Sequence, residues 1–137
     1  MKPKHIIALS GRASIGKTRT LRMVIDMLNG VELTYEKHDT RTTCHYHGKT
    51  ICVTTPGDNG WEISKNIDYI NSHPCDIAVM ATRTRGATIT TLTNYAEQID
   101  APIHWIRKAY ETGDENTINE RYAQQIVDRV EETITIL

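Results

Sequence analysis

Short β-branched runs alternate with longer stretches of helical periodicity along the chain. The apolar run His5-Ile6-Ile7-Ala8-Leu9 stops at Ser10-Gly11 and predicts a buried strand over 5–9. From Thr18 the apolar residues Leu21, Val24, Ile25 and Leu28 recur at i, i+3, i+4 and i+7, one face of a helix that Asn29-Gly30 ends. Residues 31–37 alternate and predict a second strand. Residues 43–47 and 49–54 flank Gly48 as the arms of a hairpin, the second more apolar and so more central. Pro56-Gly57-Asp58-Asn59-Gly60 is turn chemistry throughout. Ile63, Ile67 and Ile70 then align on a helix closed by His73-Pro74. Residues 76–81 read as another buried strand and 102–106 as a further one. Between them, residues 88–98 form a helix in spite of their threonines, with Ile89, Leu92, Tyr95 and Ala96 on one side. The last helix carries Ile118, Tyr122, Ile126, Val130 and Ile134, and Thr117-Ile118-Asn119-Glu120 fits a capping box at its start.

Strands alternating with helices predict an α/β three-layer sandwich around a mainly parallel five-stranded sheet, one strand fewer than the six extended segments. No repeat, linker or low-complexity segment interrupts 1–137, so the 137 residues read as a single domain. Phenylalanine is absent, which leaves Ile, Val, Leu, Met and Tyr to fill the core. Sixteen Lys+Arg against 17 Asp+Glu give a net charge of −1, which argues against a dedicated nucleic-acid binder. The longest apolar run, residues 77–81, is far short of the roughly 20 residues of a membrane helix, and the apolar run near the start is too short for a signal-peptide core. Three cysteines, an odd number without an export signal, predict a reduced, cytoplasmic protein without structural disulfides.

The chemistry concentrates in Gly11-Arg12-Ala13-Ser14-Ile15-Gly16-Lys17-Thr18, which fits G-x-x-x-x-G-K-S/T at every required position. The glycines let the backbone fold so tightly that consecutive N–H groups converge on phosphate oxygens. The helix that begins near Lys17 adds the positive end of its dipole. The Lys17 ammonium can reach β- and γ-phosphates, and the Thr18 hydroxyl can ligate Mg²⁺. The context agrees, since the motif follows a buried strand and opens an amphipathic helix.

In this motif the sequence resembles the P-loop NTPases. The resemblance implies a P-loop type of α/β sandwich that binds a nucleoside triphosphate with Mg²⁺ at the strand-to-helix loop, residues 12–18 forming the anion cradle. It also implies an acid at the end of a neighbouring strand. The hairpin and the turn Thr54-Thr55-Pro56-Gly57-Asp58 are similar to the D-x-P-G turn of translation-factor-like and Ras-type GTPases, but Thr54 stands where those proteins carry the metal-side aspartate. Asp58 lies where they position water, so it is a candidate for the metal or the water; it equally fits a helix N-cap ahead of Trp61. Asp39, among threonines in the loop before the hairpin, is the other acid that can approach the metal.

The guanine-reading N-K-x-D is also missing: Arg107-Lys108-Ala109-Tyr110 follows the last strand. Arg107 or Tyr110 can instead stack on a base, which favours ATP over GTP. Arg83 and Arg85 follow the strand over 76–81, at the carboxyl end where ligands of parallel sheets sit, and their planar forks suit a transferring phosphoryl group. Cys44, His45, His47 and Cys52 lack the spacing of a zinc site. The function these residues point to is Mg²⁺-dependent binding of a nucleoside triphosphate with hydrolysis of its β–γ bond. Lys17, Asp58, Arg83 and Arg85 are the catalytic candidates, and Thr18, Asp58 and Asp39 the metal ligands. A small-molecule kinase using Arg83 and Arg85 on its acceptor is one alternative. Another is a switch module that binds without turnover. A protein partner or a homodimer is the route by which a missing acid or arginine would arrive in trans.

Overall fold

A computed structural model describes residues 2–137. The strands are β1 His5–Ser10, β2 Arg41–Tyr46, β3 Lys49–Thr54, β4 Ile77–Thr82 and β5 Ile103–Arg107; the helices are α1 Lys17–Asn29, α2 Gly60–Ser72, α3 Ala87–Ile99 and α4 Glu115–Ile134. The five strands form one sheet in the order β2-β3-β4-β1-β5. It is parallel except for β2, which runs against β3. His47 and Gly48 both take positive φ (49° and 76°), the two-residue turn whose twist suits a hairpin.

Alternation along the strands sorts the apolar residues onto two faces. Ile7, Leu9, Val53 and Val79 pack under α1 and α4 with Leu21, Val24, Ile126 and Val130. Ile6, Ala8, Cys52 and Met80 pack under α2 and α3 with Ile63, Ile70, Leu92 and Tyr95. Helices thus cover both sides of the sheet. Each large aliphatic side chain fully withdrawn from water contributes about 1.5–3 kcal/mol, so a core without phenylalanine suffices. The threonines of α3 are accommodated because Thr90 and Thr93 hydroxyls donate back to the Gly86 and Ile89 carbonyls, at 3.2 and 2.8 Å.

Three expectations are corrected. Residues 31–37 form no strand: Thr34 donates through both its N–H and its hydroxyl to Asp26, each at 3.1 Å, and Tyr35 turns to φ 56°. That segment is held to α1 and never runs alongside β2. The capping box at Thr117 is displaced by Asp114, whose carboxylate accepts from the Thr117 N–H at 2.9 Å, so α4 begins at Glu115. And β3 is not the neighbour of β1, because β4, buried at every position, lies between them.

At the opposite end of the sheet from Ser10, His5 Nδ1 and His104 Nε2 meet at 3.0 Å. Burial, then His5 and Arg129, hold the His104 pKa below its ordinary value, with Glu132 opposing. Above pH about 6.5 folded and unfolded chains both keep this ring neutral. Below it the unfolded chain takes up a proton first, so the fold loses stability until the pH passes the lowered folded value. We predict that His104→Gln removes this part of the acid sensitivity in urea unfolding at pH 7.5 and pH 5. Equal acid losses in variant and wild type would contradict it.

Candidate functional site

The glycine-rich loop occupies the carboxyl end of the sheet. It is fixed there because the Gly11 N–H donates to the Thr82 carbonyl at 3.1 Å and the Lys108 N–H to the Ser10 carbonyl at 2.7 Å. Gly16 closes it in the left-handed region, φ 95° and ψ 21°. That conformation favours glycine, and a Cβ there would fall 2.7 Å from Asn119 Oδ1 and have to displace that side chain. The first turn of α1 carries no acidic residue and no side-chain cap, which leaves its N–H groups free for an anion.

Lys17 is only 6% exposed. Its Nζ donates to the Gly11 carbonyl and, at 3.2 Å, to that of Arg12. Burial pushes its pKa down to about 8; Asp58 opposes the shift and Arg83 adds to it. The ammonium thus faces a site in which an incoming anion would be its strongest partner.

Two acids line the neighbouring loops. Asp39 accepts from the Thr18 hydroxyl at 3.4 Å and from the Thr55 hydroxyl at 3.3 Å. Asp58 pairs with Arg83 at 3.5 Å. Asp58 is not the N-cap of α2: Asn59 takes that place, accepting from the Glu62 N–H, while the Glu62 carboxylate accepts from the Asp58 N–H at 2.8 Å. Thr54 is wholly buried, its hydroxyl without a partner among the described residues, and takes no part in this cluster. Two cavities flank Lys17. One, about 140 Å³, is lined by Ser14, Gly16, Arg19 and Glu115; the other, about 200 Å³, by Asp39, Thr55, Pro56 and Glu62. Lys17, Thr18, Lys37 and Asp58 belong to both.

A third cavity, about 310 Å³, opens beyond the loop among Ser14, Ile15, Tyr110, Ile118 and Asn119. Tyr110 is 65% exposed, and the Arg12 guanidinium lies 5.0 Å from its ring centre. Arg107 lies exposed on the edge strand β5 and lines none of these cavities, and Arg85 is exposed in the turn before α3. Lys37 and Asn119 were missed by sequence reasoning. Lys37 lay in the expected strand, and only the packing of α4 on α1 places Asn119, whose amide has no partner among the described residues, against Gly16. No group of three or more His, Cys, Asp or Glu gathers as a metal cluster among the described residues. None of their helices is long and apolar enough to cross a membrane.

An α/β sheet with a glycine-rich strand-to-helix loop at its carboxyl end defines the architecture. Comparison of the chain with family models, curated proteins and solved structures finds no significant match.

Gly57 brings Asp58 to the site by close approach, since a Cβ there would run into the Ala81 backbone. Gly57→Ala should therefore lower stability by about 1–3 kcal/mol. An unchanged urea midpoint would contradict this packing.

Proposed function

We propose that the chain is a P-loop protein that binds a nucleoside triphosphate, ATP in preference to GTP, with Mg²⁺, and hydrolyses the β–γ bond. The observation that carries the reading is the buried Lys17 ammonium beside an uncapped helix N-terminus, with two cavities for an anion around it. In this reading the N–H groups of residues 12–18 hold the phosphates and Lys17 bridges the β- and γ-phosphates. Tyr110 and the apolar wall of Ile15 and Ile118 offer the base a stacking surface, and the acids of that cavity are engaged elsewhere, Glu111 with Arg121 and Tyr122 and Glu115 with Arg19.

The residues at Thr18 fit Mg²⁺, which takes hard oxygen donors and needs few from the protein when phosphates supply the rest. The Thr18 hydroxyl and the Asp39 carboxylate, already in contact, would hold it. Bound there, Mg²⁺ would offset charge on the β- and γ-oxygens. Asp58, on release from Arg83, orients the attacking water. Arg83 is then free to neutralise the transferring group. The standing Asp58–Arg83 pair favours a second reading, a module that binds without turnover.

Lys17→Ala should abolish ATP binding and leave the circular dichroism unchanged; retained affinity with an intact fold would overturn the proposal. Because the free ammonium titrates at about 8, wild-type ATP affinity should fall by up to about tenfold per pH unit above that value, as the lysine must be recharged on binding. Affinity that stays flat from pH 7 to 9.5 would contradict this role of Lys17. Phosphate release without an acceptor separates hydrolysis from the binding module.

A further inference from the structure

The segment between α1 and β2 is stapled over the site on both sides of Lys37. Glu36 pairs with Arg22 at 3.9 Å, and two residues after Lys37, Asp39 takes the hydroxyls of Thr18 and Thr55. The Thr40 N–H donates to the Thr55 hydroxyl at 2.8 Å, and the Thr55 N–H to the Thr40 carbonyl at 2.9 Å. Lys37 is thereby placed on the wall facing the glycine-rich loop, lining both cavities beside Lys17.

The other cations near the site are engaged. Arg19 pairs with Glu115 at 3.2 Å, Arg83 with Asp58 at 3.5 Å, and Lys17 is held by carbonyls of its own loop. Among the described residues Lys37 forms no ion pair. Exposed and without an ion pair, Lys37 lines one cavity with Asp58 and the other with both Asp39 and Asp58, so its ammonium is available to an anion that enters them.

We propose that Lys37 is a catalytic residue that contacts the γ-phosphoryl group from the wall opposite the P-loop. This rests on the nucleotide reading above. In the step it serves, the oxygen of water bonds to the γ-phosphorus and the bond from that phosphorus to the bridging oxygen breaks. Its electron pair stays on the β-phosphate, and the proton of the water passes to Asp58 or to the released phosphate. Lys37 neutralises charge on the γ-oxygens from one side while Lys17 does so from the other.

The test compares wild type, Lys37→Ala and Lys37→Arg, measuring single-turnover phosphate release and the affinities for ATP and ADP with Mg²⁺. Lys37→Ala should slow release about a hundredfold. It should also weaken ATP more than ADP, since ADP lacks the group that Lys37 touches. Lys37→Arg should restore much of both. Circular dichroism should be the same in all three. Wild-type release and a wild-type ATP-to-ADP ratio in Lys37→Ala would overturn the proposal and leave the nucleotide reading standing. A wild type that binds ATP without releasing phosphate would overturn the catalytic role of Lys37. A wild type that binds no ATP would overturn both.

Discussion

The site depends on one buried ammonium. Placing Lys17 at the first position of α1, under a left-handed Gly16, puts a cation where little water reaches it. Burial of a charge is costly unless polar groups surround it. Here the Gly11 and Arg12 carbonyls accept its hydrogen bonds, and Asp58 supplies opposite charge. The surrounding loops follow from this. Asp39, Asp58 and Arg83 arrive from three separate connections.

The sheet sets where those connections can come from. With β4 between β1 and β3, the strand end beside Ser10 is that of Thr82, and the turn after β3 must reach across β4 to approach Lys17. Gly57 makes this crossing at the height of the Ala81 backbone. An acid at position 54 would end on the face under α2 and α3, shared with Cys52, where the native threonine is sealed from solvent. The carboxylates therefore come from positions 39 and 58.

Most of the fold was legible because its signals are periodic. The faces of α1, α2 and α4 repeat at about 3.6 residues, and β1 and β4 are unbroken apolar runs, so both kinds of signal stand out in one dimension. The loop of residues 11–18 was legible for another reason: its chemistry is local, carried by adjacent residues. What failed was what only tertiary contacts decide. The alternation of residues 31–37 gave way to Thr34 bonding to Asp26. The position of Lys37 depends on that same departure. Asp39 and Asp58 could be nominated as acids, but their partners, Thr18 and Arg83, lie 21 and 25 residues away. Asn119 gave no signal at all, since nothing in its neighbours links α4 to Gly16.

The measurement that tests the central claim most directly is calorimetric titration of the wild-type chain with ATP and with GTP, each with and without Mg²⁺. The expected result is saturable binding of ATP that Mg²⁺ strengthens and weaker binding of GTP. No heat of binding with either nucleotide, in the presence of Mg²⁺ and at neutral pH where Lys17 is charged, would contradict it.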